Sequence, residues 1–238
     1  MKKIELSQFQ TEAELAHGVA RAWLDQLSED GADGVGCVAL SGGRIAKVFF
    51  AALVQQSMAR GISLEGIHFF WADERCVPAM DEESNFRAAQ ELLFTPLGIA
   101  SEKIHRIRGE LHVDDAAREA SVNLCRVAPV SSNGSPVFDL IFLGMGEDGH
   151  VASLFPGESE GVMNLAQVYR PVVVAKPPPN RITLGYGIIA AARQVWVLAS
   201  GKGKEAALRD SLSQGNATPL GRVIRMRTNT RVFSDIPA

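Results

Sequence analysis

Apolar residues recur along this chain in two rhythms that replace each other several times. Leu15, Val19, Ala22 and Leu27 fall at helical spacing behind Thr11 and Glu14, a capping-box pair, which predicts a helix near the N-terminus. Gly31, Gly34 and Gly36 interrupt the chain before the short apolar run CVAL (37–40). Helical spacing returns from Ile45 to Met58 through Val48, Phe49, Ala52 and Leu53, and stops near Gly61. IHFFWA (67–72) reads as a strand. Ser84 is placed to cap a helix carrying Phe86, Ala89, Leu92 and Leu93 that ends before Pro96. Another helix is expected from Asp114 to Ala128, followed by the turn-rich, linker-like PVSSNGSP (129–136). FDLIFL (138–143), VYRPVVVA (168–175) and VWVLAS (195–200) read as strands, with a helical IIAAARQ before the last and a closing helix near Lys204 to Leu212.

Strands that alternate with helices predict an α/β fold: a doubly wound, mostly parallel sheet with helices on both faces. In such sheets ligands bind beyond the carboxyl ends of the strands. Four strand-following loops then share one rim: SGGR (41–44), DERCVP (73–78), GMGEDGH (144–150) and GKGK (201–204).

Composition narrows the picture. The chain has 238 residues, 46% hydrophobic and 21% charged, which is globular rather than disordered. A net charge of −3 supplies no broad basic field, which argues against a nucleic-acid partner, so an anionic ligand must meet local cations. Cys37, Cys76 and Cys125 are widely spaced and odd in number, as expected of reduced thiols in a cytoplasmic protein. MKKIELSQFQ lacks the apolar core of a secretory signal, and no apolar run approaches the ~20 residues of a membrane span, so no membrane partner is expected.

The rim residues carry the candidate chemistry. Ser41, Gly42 and Gly43 ahead of a helix offer amide donors to a phosphate, although a tight turn alone would use the same residues. Arg44, Arg75, Lys202 and Lys204 supply charge. As the bland alternative, Arg75 pairs with Asp73 or Glu74 at the surface and Lys202 is merely solvated. His150 stands two residues after Asp148 in a glycine-rich turn, where a carboxylate fixes the tautomer and raises the basicity of the other ring nitrogen. No HxH, HExxH or cysteine cluster supplies further metal ligands, and the one GxSxG match, GESEG (157–161), does not follow a strand signal as a serine nucleophile elbow would. An anion site with a general base is the chemistry that remains.

These residues resemble the 6-phosphogluconolactonase family over most of the chain: SGG, WADERCVPAMDEESNF, FDLIFLGMGEDGHVASLFPG and RITLGYGIIAAARQVWVLASGKGKEAAL. The resemblance implies one α/β domain over residues 1–238 that hydrolyses the δ-lactone of 6-phosphogluconate, a small-molecule sugar phosphate lactone, with no cofactor and no metal. It implies catalytic roles for His150, Asp148 and Arg75, and substrate or phosphate binding by Ser41, Gly42, Gly43, Arg44, Asp73, Arg181 and Lys202. Glucosamine-6-phosphate deaminases share the sheet and the DGH segment. The arginine of DER and the ASLFPG ending favour the lactonase, and a sugar-phosphate-binding protein without turnover is the other alternative. Two departures stand out: Arg44, Ile45 and Ala46 replace the family's small hydroxyl residues after SGG, and Gly185, Tyr186 and Gly187 follow RITL in place of threonine, leucine and proline.

Overall fold

The computed structural model describes residues 3–30, 36–132, 134–213 and 218–237. Gly31, Gly34 and Asn133 lie outside them. The chain runs β1 (Lys3–Gln8), α1 (Glu12–Asp30), β2 (Cys37–Leu40), α2 (Arg44–Arg60), β3 (His68–Trp71) and β4 (Asp73–Arg75). Next come α3 (Asn85–Ala89), a π-helical turn over Gln90–Phe94, α4 (Thr95–Leu97), α5 (Val113–Val127) and β5 (Leu140–Gly144). The remainder is α6 (Glu160–Met163), β6 (Tyr169–Val173), β7 (Asn180–Leu184), α7 (Tyr186–Ala191), β8 (Gln194–Ala199), α8 (Glu205–Leu212), α9 (Pro219–Met226) and β9 (Asn229–Ser234).

Six strands form one parallel sheet in the order β1-β9-β8-β5-β2-β3, the expected doubly wound α/β arrangement. From β2 the chain moves outward to β3, whereas from β5 it moves outward the other way to β8. The order therefore reverses between β2 and β5, and the crevice at that reversal lies beside the loops that follow these two strands. Apolar side chains of neighbouring strands and α2 meet there: Phe49 and Phe142 lie 4.9 Å apart, and Trp196 packs edge-on against Phe142 at 5.7 Å. Fully burying a phenylalanine of this kind stabilises the fold by roughly 1.5–3 kcal/mol.

A second sheet was not legible in the hydrophobic pattern. β4, β7 and β6 form a three-stranded antiparallel sheet, so VYRPVVVA and DER leave the main sheet. The handover is at Ala72, whose N–H donates to Leu40 O in the main sheet while its carbonyl accepts from Leu184 N in the small one. Thr11 caps α1 as its spacing predicts: its hydroxyl accepts from Glu14 N, and Glu14 reaches back to Gln10 N. Ser84 likewise accepts from Arg87 N. Pro96 does not end the following helix; it begins the last turn, which stops at Gly98. No helix among the described residues is long and apolar enough to cross a membrane.

At the end of the sheet away from the crevice, His68 Nδ1 lies 2.8 Å from His105 Nε2, and Lys103 Nζ lies 3.3 Å from His68 Nε2. Lysine only donates, so His68 Nε2 accepts and its Nδ1–H donates to His105, which leaves both rings neutral. Burial pushes His105 down to about 4, helped by His68 and Lys103; burial and Lys103 also lower His68. The unfolded chain protonates near 6.5 while the folded one resists, so stability is full above that pH and falls as the pH drops toward 4. His105→Phe, which keeps the stack on Phe70, is expected to flatten the fall in Tm between pH 7 and pH 4.5. An unchanged slope would assign the acid sensitivity elsewhere.

Candidate active site

The loops after β2, β5 and β8, with strand β4 after β3, border a cleft of about 540 Å³, within the range of small-molecule sites. Of the residues singled out in the sequence, Ser41, Gly42, Gly43, Arg44, Asp73, Arg75, Asp148 and His150 line it. Arg181 and Lys202 do not; Lys176 and Lys204 do.

His150 is held from two sides. Its Nδ1 lies 2.6 Å from Asp148 Oδ1, which also accepts the His150 backbone N–H at 3.0 Å. Burial pushes the Asp148 carboxyl up, but the two His150 N–H donors outweigh it and hold the group below its ordinary value. An ionised carboxylate only accepts, so Nδ1 carries the ring proton and Nε2 is left as an acceptor. The ring face stacks on Phe155 at 4.4 Å, and Phe155 in turn carries the Arg181 guanidinium 5.7 Å from its centroid. Gly146 explains one glycine of the loop: a Cβ there would lie 2.0 Å from ring atoms of His150. The glycine is a space for the imidazole.

The cations divide into two groups. On one wall, Lys204 Nζ donates to Met145 O at 2.6 Å from the N-cap of α8. Burial and then repulsion from Arg44 lower its pKa, so an anion between the two cations relieves both. Arg44 is the first residue of α2, whose N-cap Gly43 offers no side-chain cap, so the amides at that end are open to a ligand. Its side chain is 66% exposed and pairs with Glu12 at 3.0 Å. Lys202, two residues before Lys204, is exposed to solvent.

On the other wall, Arg75 donates to the Glu83 carbonyl and lies 3.1 Å from its carboxylate, while its Nε is buried with no partner among the described residues. Below it the buried Glu74 carboxylate accepts from the backbone N–H groups of Arg75, Asn85 and Phe86, tying β4 to the start of α3. Burial pushes Glu74 up to about 7 against those three donors. Asp73 is 5% exposed and accepts from Ser153 Oγ at 2.7 Å. Arg181 is also buried; it donates to the carbonyls of Pro178 and Lys176, bracing the β6–β7 hairpin from which Lys176 reaches the cleft. No group of three or more potential metal-ligating side chains occurs among the described residues.

The two departures after SGG and RITL have different consequences. Ile45 and Ala46 are buried in the core, and of the three Arg44 and Ile45 line the cleft, Arg44 alone bringing a charge to it. Tyr186 is buried at the start of α7 beneath Arg222, so that change serves packing.

A sequence profile described as glucosamine-6-phosphate isomerases/6-phosphogluconolactonase matches residues 10–233. A 6-phosphogluconolactonase of Haemophilus influenzae is 39% identical over 177 residues, covering 73% of this chain and 72% of the relative. The solved 6-phosphogluconolactonase of Trypanosoma brucei superposes with a TM-score of 0.88 at 27% identity, covering 98% of this chain and 97% of that one. A monomeric glucosamine-6-phosphate deaminase superposes at 0.81 with 19% identity over 97% of this chain and 96% of its own, which shares the fold alone.

Proposed function

The chain belongs to the glucosamine-6-phosphate isomerase/6-phosphogluconolactonase family, and we propose that its cleft opens the lactone ring by base-catalysed attack of water at His150. The overall reaction is hydrolysis of 6-phospho-D-glucono-1,5-lactone to 6-phospho-D-gluconate, the lactone step of the pentose phosphate pathway. The observation that carries the mechanism is the 2.6 Å pairing of His150 Nδ1 with Asp148, which leaves Nε2 free on the wall of a cationic cleft.

In this reading the substrate phosphate lies between Gly43, Arg44 and Lys204, where open amides and two mutually repelling cations await an anion. His150 Nε2 takes a proton from water as the water oxygen bonds to C1 and the carbonyl electrons move onto oxygen. Arg75 stabilises that oxyanion once it leaves Glu83. When the intermediate collapses, the bond from C1 to the ring oxygen breaks, and His150 returns the proton to that oxygen. Asp148 stabilises the transient imidazolium without itself taking the proton. Arg181 acts through Phe155 and the hairpin, not by touching substrate. Cytoplasmic location is part of the same reading, supported by the three free thiols.

The test is a coupled assay on freshly made 6-phosphoglucono-δ-lactone, corrected for spontaneous opening. Hydrolysis well above the spontaneous rate is expected, with no ammonia released from glucosamine 6-phosphate. Tight binding without turnover would overturn it. Asp148→Asn is expected to retain the ring contact and lose rate, because an amide cannot stabilise the imidazolium. Its pH–rate profile should shift relative to wild type, and an identical profile would remove Asp148 from the mechanism.

A further inference from the structure

Beside Arg75 the cleft wall presents two hydrogen-bond acceptors, Asn85 and Asp73. Asn85, the first residue of α3, is 4% exposed yet lines the cleft. Its backbone N–H is fixed by Glu74 Oε1 at 2.8 Å, and its Nδ2 donates to the Asp73 carbonyl at 2.9 Å. A carbonyl cannot donate, so the amide nitrogen must face Asp73 and the orientation of the side chain is decided. Oδ1 then lies against Gly42, close enough that a Cβ on Gly42 would sit 1.8 Å from it. No described residue donates to Oδ1. The neighbouring Asp73 carboxylate is also an acceptor and also lines the cleft.

An acceptor fixed on the cleft wall with no donor among the described residues is left for a ligand group that can donate to it. Phosphate oxygens and the lactone carbonyl are acceptors themselves and are repelled by Oδ1. A ring hydroxyl is the one group of a sugar lactone that can donate. We propose that Asn85 is a specificity-determining residue whose side-chain carbonyl accepts the hydrogen of a substrate hydroxyl, with Gly42 kept free of a side chain to leave that carbonyl in place. The inference rests on the lactonase reading and adds to it. The cleft is polarised: Arg44 and Lys204 take the phosphate on one wall, and Asn85 with Asp73 takes hydroxyls on the other.

A site built to pair a hydroxyl penalises the analogue that lacks it. The experiment compares 6-phosphoglucono-δ-lactone with its 2-deoxy, 3-deoxy and 4-deoxy counterparts, in wild type and in Asn85→Ala. In wild type, removal of the recognised hydroxyl is expected to lower kcat/KM by about three- to tenfold. In Asn85→Ala the gap at that position should close, while the gaps at the other two stay. Each ratio is taken within one variant, so partial loss of folded protein cancels, and Asn85→Ser repeats the comparison if the alanine variant does not fold.

If Asn85→Ala slows all four lactones by one factor and leaves every gap intact, its role is structural and the proposal fails. The same holds if wild type shows no gap at any position. A wild-type protein that hydrolyses none of the lactones defeats the lactonase reading separately. Calorimetric titration with the matching deoxy 6-phosphogluconates then tests Asn85 alone, and affinities whose gaps are the same in wild type and variant sink it.

Discussion

His150→Ala is expected to lower kcat for 6-phosphoglucono-δ-lactone by about 10²–10⁴-fold, the contribution of a positioned general base. The cause is the loss of Nε2, the ring atom that Asp148 leaves free to accept. Folding should survive, because His150 lies on a loop at the rim and its side chain is 28% exposed; the stack on Phe155 is the main apolar contact given up. The measurement is initial rate after subtraction of spontaneous opening, beside circular dichroism and Tm. Activity within a few-fold of wild type, with the fold intact, would take His150 out of the reaction.

Removing the amine of Lys204 is the second large effect. Lys204→Ala is expected to raise KM for the phosphorylated lactone by roughly ten- to a hundredfold, the loss of a charge-assisted contact worth about 1.5–3 kcal/mol. Unphosphorylated gluconolactone should hardly notice, since the group that Lys204 serves is absent from it. Lys202→Ala should change neither substrate by more than about twofold, as for other exposed positions away from the chemistry. Arg75→Ala gives the opposite signature: kcat falls for both lactones alike if it stabilises the oxyanion. Equal losses on both lactones in Lys204→Ala would place the phosphate elsewhere in the cleft.

These contrasts bear on what was legible beforehand. The short apolar runs CVAL, IHFFWA, FDLIFL and VWVLAS were readable as strands because they are buried on both faces of a parallel sheet and flanked by glycines or polar turns. The helix starts at Thr11 and Ser84 were readable because a hydroxyl and a backbone amide three residues on satisfy each other locally. β1 and β9, which pair only with each other and β8, gave no such signal: KIELSQ and NTRVFS mix polar residues into the strand, and only long-range partners make them strands. Of the antiparallel trio, β6 was readable in VYRPVVVA, whereas β4, β7 and the separate sheet they build with it were hidden for the same reason.

The sequence alone determined the α/β class, the gathering of the four segments after these strands on one rim and the pairing of Asp148 with His150, since all three depend on periodicity or on residues two positions apart. DER, expected as a loop, is strand β4 in the structure. The tertiary structure decided which side chains enter the cleft. Lys204 enters where Lys202 does not, because a glycine-rich turn has no period from which to infer direction, and only the start of α8 aims one lysine at Met145. Arg181 became a brace because its strand pairs with β4 and its guanidinium finds hairpin carbonyls before it finds a ligand. Asn85 became part of the wall only when Glu74 and Asp73, eleven and twelve residues earlier in the chain, fixed its two ends. Side-chain direction in a loop is set by contacts distant in sequence, and those exist only once the chain has folded.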